Sequence, residues 1–386
     1  MDFRLTPEQS DLRAAARDLA SGEFAPLAEA WDRDAVLLPD DARRRLGELG
    51  YLGMTLGERY GGWNAPLLDA LLVLEEFAKA CPGAAFAIFE AAIGAVRVIE
   101  LLGTPEQRDR WLPPIAAGEA TMAVAISEPD AGSAATDMRT RGRREGDEIV
   151  LDGTKRWCSG AGHAELYLVY CRLSDAVGAK GIGAVVVEQG TPGLTFGPRQ
   201  VHLGFRSVAH ADIFFDGCRV PAENLVVPAG GFADLFRVFS IERMGNATMS
   251  LAVAQAALDQ CRTYVLEREQ FGRPIADFQA VQLTLADMLM RTEAARLLVW
   301  RAAANAGTGY PDTLEVSLAK CYANEIARDV ATAAMEIHGG YGYSSEYPVE
   351  RLLRDSLGWL VAGGTPTMQR LRITSELLGR RVSQRA

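Results

Sequence analysis

Apolar positions along the chain change period twice. From residue 1 to about 120 they recur at the three- and four-residue spacing of helices, from about 121 to 230 they gather in short β-branched or aromatic runs, and from about 231 the helical spacing returns. The first stretch opens on Thr6-Pro7-Glu8-Gln9: a threonine placed to cap, a proline at the first helical position and an acid in the first turn. Thr104-Pro105-Glu106-Gln107 repeats the signal. Between them the spacing predicts helices over 39–49, 66–80 and 84–102, parted by Gly61-Gly62 and Cys81-Pro82-Gly83. The runs TMAVAIS, EIVLDG, LYLVYCRL, GAVVVEQ, LTFGP and ADIFFDGCRVP predict strands of a compact antiparallel barrel or sandwich. Helices follow over 231–269, 277–306, 312–338, 346–357 and 366–380, and long helices with short links imply a bundle. The predicted class is α+β: a helical domain (1–120), a β domain (121–230) and a C-terminal helical bundle (231–386).

One acid stands out against this pattern. Val238, Glu242, Gly245, Met249, Ala252 and Ala256 share a helix face that is otherwise apolar and small. No Lys or Arg lies three or four residues from Glu242, so no local ion pair accounts for it, and Arg243 points about 100° round the helix. Either Glu242 reaches solvent or a distant arginine, or it is a buried functional acid; spacing alone leaves both open.

Composition narrows the class. The 386 residues carry 40 Lys and Arg against 50 Asp and Glu, a formal charge of -10 with no basic run, which argues against nucleic-acid binding. The six cysteines are scattered without a C-x-x-C pair and there are four histidines, which disfavours a metal site and suits a reducing compartment. The N-terminus reads as neither signal nor transit peptide, and no apolar run reaches membrane-spanning length, so a cytoplasmic protein is expected. G-x-G-x-x-G after a strand, P-loop, H-E-x-x-H and G-x-S-x-G are all missing.

Seven segments in order carry a resemblance: DFRLTPEQ, ISEPDAGS (126–133), DGTKRWCSGAGHA (152–164), FFDGCRVPAENL (214–225), LEREQFGRPI (266–275), IHGGYGYSSEYPVERLLRD (337–355) and GGTPTMQR (363–370). Over essentially its full length the chain resembles the acyl-CoA dehydrogenase family, which implies FAD as cofactor. By that resemblance Val124, Ile126, Ser127, Gly132 and Ser133 line the flavin, Ser133 also touching the substrate's CoA-like arm. Trp157 packs on the isoalloxazine and Ser159 sits near flavin N5. Arg268, Phe271, Gln279, Ile337, Gly339 and Gly340 reach the adenosine and diphosphate, commonly on a neighbouring subunit. Thr365 and Thr367 match further flavin contacts, although Thr367 replaces a glutamine.

The family usually places its base in a Y-E-G-T motif. Here that stretch is Ala362-Gly363-Gly364-Thr365, and Gly363 cannot take a proton. A smaller group, resembling isovaleryl-CoA dehydrogenases, carries the glutamate on the bundle helix just before an arginine, as Glu242-Arg243 does here. The resemblance implies α-proton removal by Glu242, hydride transfer to flavin N5, and a thioester carbonyl held by the flavin ribityl hydroxyl and the base residue's own backbone N–H. Arg243, Gly364, Phe86 and Phe89 are the expected substrate contacts. AAFAIFEAAI (84–93) holds no Lys or Arg, which favours a modest apolar or aromatic acyl group over an anionic one. A CoA or carrier-protein thioester, an electron-transfer flavoprotein as acceptor and a homotetramer are the implied partners. A decarboxylating or non-redox relative and a non-catalytic flavin-binding protein are the alternatives.

Overall fold

The computed structural model describes residues 4–380 and 382; Asp2 and Phe3 of the opening motif lie outside them. The N-terminal helices are α1 (Pro7–Leu19), α2 (Ala25–Arg33), α3 (Asp40–Glu48), α4 (Leu67–Ala80), α5 (Pro82–Ile88), α6 (Val96–Leu102) and α7 (Pro105–Ala116). Thr6 and Thr104 cap α1 and α7, each exchanging side-chain and backbone hydrogen bonds with the glutamine three residues on. The stretch 84–102, predicted as one helix, is broken: α5 passes into one π-helical turn, Phe89–Ile93, and Gly94 turns the chain before α6. A π turn inserts a residue while keeping a helix-like repeat of apolar positions, so the repeat does not betray it.

The strands are β1 (Met122–Ala125), β2 (Arg141–Glu145), β3 (Glu148–Ser159), β4 (Leu166–Arg172), β5 (Ile182–Glu188), β6 (Leu194–Phe196), β7 (His210–Pro221) and β8 (Leu225–Val227). They form one sheet in the order β6-β7-β3-β2-β4-β5-β8. The sheet is mixed rather than wholly antiparallel, because β1 runs parallel to β4, pairing Met122 with Leu166 through Ala125 with Val169. Strand alternation gives β4 two uses. Leu166, Leu168 and Tyr170 face the helical core, while Tyr167, Val169 and Cys171 join a second core inside the β layer.

The C-terminal part holds α8 (Phe232–Glu267), the short hairpin β9 (Glu269–Gln270) and β10 (Arg273–Pro274), α9 (Gln279–Ala306), α10 (Thr313–His338), α11 (Gly340–Tyr343), α12 (Val349–Gly358) and α13 (Pro366–Leu377). Helix α10 packs against α8, α9, α12 and α13, and α8 packs on α4, which joins this bundle to the N-terminal helices. Among the described residues no helix is long and apolar enough to cross a membrane.

Candidate active site

Glu242 lies at the end of the third turn of α8, on the face that spacing assigns to it. Val238, Gly245, Met249, Ala252 and Ala256 on that face are buried. Gly245 is required by its neighbour: a Cβ there would stand 2.6 Å from the ring of Phe89. Glu242 itself is half-buried, and among the described residues no cation lies within ion-pair distance of it. Burial pushes its carboxyl up to about 8, against the pull of Arg243 and Lys320. A carboxylate poised near working pH is what proton abstraction from an activated C–H needs.

The loop 362–364 lies over this acid, and its three carbonyls are pinned. Lys320 Nζ on α10 donates to Ala362 O (2.9 Å) and Gly364 O (3.0 Å), Arg243 Nε to Gly363 O (3.1 Å), and Gln369 Nε2 to Gly364 O (3.1 Å). Burial, and after it the charge of Arg243, takes the Lys320 amine down to about 7, and burial takes Arg243 down to about 10. Gly363 and Gly364 adopt left-handed backbone (φ +63° and +92°), and a Cβ on Gly363 would meet Asn246 Oδ1 at 2.7 Å. The missing acid at 363 therefore has a steric counterpart: the space is taken by Asn246 and Lys320. One expectation needs correction. Glu242 is inside α8, where its backbone N–H belongs to the helix and cannot hold a substrate carbonyl. Among the described residues the N–H groups of Gly363 and Gly364 meet no acceptor.

The sheet brings the second wall. Trp157 stands in left-handed backbone (φ +60°) where the β3–β7 register slips, and its indole is 55% exposed with Arg156 over the ring at 4.4 Å. A large non-glycine residue held there costs about 1–2 kcal/mol, and the result is an apolar plate facing outward. Arg156 N–H donates to Ser127 O (2.9 Å), which seats the 126–133 loop beside that plate. Ser127's hydroxyl makes no hydrogen bond within the described chain, and Val124 and Ile126 are half-buried. An open plate edged by unspent polar groups fits a flat, polar-rimmed ring system such as a flavin. Gly132 and Ser133 are exposed, and a Cβ on Gly132 would meet nothing.

Ser159 is oriented by histidines that the sequence did not single out. His210 Nδ1 lies 3.2 Å from Val208 O, which can only accept, so Nδ1 carries the proton. His210 Nε2 is then free to accept from the Ser159 hydroxyl at 3.0 Å. Burial, helped by the charge of His202, whose ring lies tilted at 4.1 Å, takes His210 down to about 4 and keeps it neutral. Ser159 thus presents lone pairs, not a proton, on its other side.

Phe86 and Phe89 meet each other (5.4 Å) and Trp359 (6.5 and 5.7 Å), which Phe205 also touches (5.2 Å). Beside them is Glu90, a further acid in the apolar segment 84–93. Burial and then the charge of Glu242 raise its carboxyl to about 8. Residues 86, 87, 93 and 94 are Phe, Ala, Ile and Gly, so the criterion that isolates Glu242 isolates Glu90 too.

The remaining residues gather elsewhere. Arg268, the C-cap of α8, places its guanidinium over Tyr341 (5.4 Å), just beyond Ile337, Gly339 and Gly340. Phe271 is 93% exposed and Gln279 opens α9, exposed as well. The 26 residues from Glu242 to Arg268 span about 39 Å of helix, too far for both to serve one flavin in one chain. Thr365's hydroxyl accepts from Met368 N–H as the cap of α13, and Thr367 is exposed.

Comparison with known proteins agrees with the three-part fold. The chain matches the acyl-CoA dehydrogenase N-terminal domain over residues 6–119, the middle domain over 123–218 and the C-terminal domain over 229–378. It is 40% identical to the 3-sulfinopropanoyl-CoA desulfinase of Paraburkholderia xenovorans, over 99% of both chains. Butyryl-CoA dehydrogenase from Megasphaera elsdenii superposes with a TM-score of 0.94 at 33% identity, covering 98% of this chain and 100% of that one. A glutaryl-CoA dehydrogenase from Mycobacterium smegmatis in complex with FADH2 gives 0.93 at 27%, covering 98% and 97%. The chain belongs to the acyl-CoA dehydrogenase family, as an FAD-dependent oxidoreductase acting on the CH–CH bond of an acyl thioester.

Proposed function

We propose that Glu242 is the base of this dehydrogenase and that the thioester lies between α8 and the Trp157 face. The observation that carries this is a half-buried acid without a cation partner, set beside the two unclaimed N–H groups of Gly363 and Gly364. Those N–H groups take the thioester carbonyl and stabilise the negative charge that grows on it as the α-proton leaves. Glu242 takes that proton. Arg243 and Lys320 hold the loop in place rather than touching the acyl chain. FAD, when bound, would supply the hydride acceptor for the β-hydrogen. Val124, Ile126, Ser127, Gly132, Ser133, Trp157, Ser159, Thr365 and Thr367 would hold its flavin end. Arg268, Phe271, Gln279 and the Ile337–Gly340 turn would hold the adenosine end of a flavin bound mainly by a second copy, a reading that the 39 Å separation supports. A homotetramer, a cytoplasmic location, divisions near 120 and 230 and an electron-transfer flavoprotein as acceptor complete the reading.

The thioester carrier is CoA or a carrier-protein arm. A sulfinate tail, as named for the Paraburkholderia relative, is disfavoured, since 84–93 offers no cation and adds Glu90. Anaerobic bleaching of the flavin near 450 nm, read against short, branched, aromatic and dicarboxylic acyl-CoA thioesters, tests the reading. Bleaching by an uncharged member is expected. Bound FAD that no thioester on CoA or carrier protein bleaches would sink it.

The pH dependence is also determined. A base raised to about 8 must be ionised to work, so log kcat/KM should climb with unit slope below about pH 8 and level above it. Folding stability moves the other way. A carboxyl whose pKa is raised in the folded chain gives stability that is complete below its ordinary 4.5 and is lost as pH rises through about 8. Glu242→Gln should flatten that loss in thermal melts taken from pH 5 to 9.

A further inference from the structure

Glu90 is not used by the chemistry above, yet it stands in the same cleft. Its Oε1 approaches Gly160, the residue after Ser159, to 3.7 Å of where a Cβ would be, among the methyls of Ala123 and Ala164. The backbone there offers no donor: Gly160 N–H is given to Ala209 O (2.8 Å) and Ala161 N–H to Cys158 O (3.4 Å). Among the described residues nothing donates to Glu90 and no cation pairs with it. The charge that bears on it is that of Glu242, of its own sign. Arg43 lines the cavity of about 10 Å³ beside Glu90, but its guanidinium is held by Asp40 (2.9 Å) and Glu165 (3.5 Å). Arg97, next along the chain, is committed to Thr55 O and Glu100.

Glu90 is half-buried, and a carboxyl that no protein donor or cation holds is open to a partner that arrives with a ligand. The neighbouring surface says what kind. Half-buried Phe86 lies one turn before Glu90, and Phe89 and Trp359 stand behind it. A carboxyl without a cation partner, set among apolar groups, is a receptor for an ammonium group through opposite charge and hydrogen bonding. It gives an anion nothing.

We propose that Glu90 selects the acyl group, receiving an ammonium, or less tightly a hydroxyl, carried on the acyl chain and turning away chains that end in an anion. This rests on the cleft being the acyl site of the proposed dehydrogenase. When an ammonium arrives, Glu90 gives its proton to solvent and pairs as the carboxylate; a plain alkyl chain meets the neutral acid.

The test uses purified holoenzyme and two pairs of isosteres, β-alanyl-CoA with butyryl-CoA and 6-aminohexanoyl-CoA with heptanoyl-CoA, together with glutaryl-CoA. Affinity is read by calorimetry and flavin reduction by anaerobic bleaching, for the native enzyme, Glu90→Gln and Glu90→Lys. In the native enzyme one amine should bind at least ~10-fold tighter than its alkyl isostere, and glutaryl-CoA should bind weakest. Glu90→Gln should erase the amine preference, and Glu90→Lys should turn it toward glutaryl-CoA. Alkyl chains bound as tightly as amines by the native enzyme, or an order that Glu90→Gln leaves untouched, would overturn the proposal while leaving a dehydrogenase that bleaches. A Glu90-dependent order of binding without bleaching would instead keep the recognition and remove the dehydrogenase reading. Binding of none of the five would remove both.

Discussion

Glu242→Gln lowers dehydrogenation at least ~100-fold for every acyl thioester the enzyme accepts, with FAD still bound, the scale expected when a positioned base is lost. Glutamine keeps the shape and the half-buried position but cannot take the α-proton. The carbonyl donors at Gly363 and Gly364 are untouched, so the loss should fall on kcat and leave KM within a few-fold. Glu90 makes this comparison sharp, because it is a second acid of similarly raised pKa in the same cleft. If Glu242 is the base, the loss in Glu242→Gln is the same for alkyl and amine-bearing chains, whereas any loss in Glu90→Gln depends on the acyl group. Full turnover by Glu242→Gln with bound FAD would show that the proton leaves by another route, and Glu90 would become the first candidate.

Helical spacing marks Glu242 as an acid on a small, apolar face without a local partner, and it is the resemblance, with glycine at 363, that turns this anomaly into a proposed base. The same logic reaches Glu90, whose neighbours three and four residues away carry no charge. Lys320 could not have been found this way. It sits in an ordinary amphipathic helix, and its burial arises only when the 362–364 loop, distant in sequence, folds over it. His210 reads as a strand residue, and its bond to Ser159 depends on β3–β7 pairing across a register slip. The two helix caps were written in four residues each and formed as written. The π turn and the parallel β1–β4 pair were not, since one preserves helical periodicity and the other is set by which strand edge is free. Local chemistry is thus readable, and groups whose meaning comes from a distant partner are not.

Glu128→Ala should destabilise the holoprotein by about 3–5 kcal/mol, the cost of leaving one member of a buried pair uncompensated. Lys155 is wholly buried, and its ammonium donates to Glu128 Oε1 (2.8 Å) and Ile126 O (2.9 Å). Glu128 in turn accepts from Thr140 N–H (2.9 Å) and Arg139 N–H (2.5 Å). One pair therefore closes the loop bearing Ser127, Gly132 and Ser133 onto β3, next to Trp157. Burial alone would raise the Glu128 carboxyl, but the charge and hydrogen bond of Lys155 and the bonds from Thr140 and Arg139 outweigh it and hold it below its ordinary 4.5. By linkage that contribution is complete above pH 4.5 and is lost as pH falls through the lowered pKa, so the mutational effect is constant near neutrality and shrinks in acid. A melting temperature lower by about 5 °C at pH 7 is expected, and, if the 126–133 loop holds the flavin, flavin released ahead of the main transition. Pairing Glu128→Gln with Lys155→Met removes both charges and should recover part of the loss, as removal of a whole buried pair does. A Glu128→Ala protein that melts with the native enzyme and keeps its flavin to the same temperature would show that the loop is held by its backbone alone.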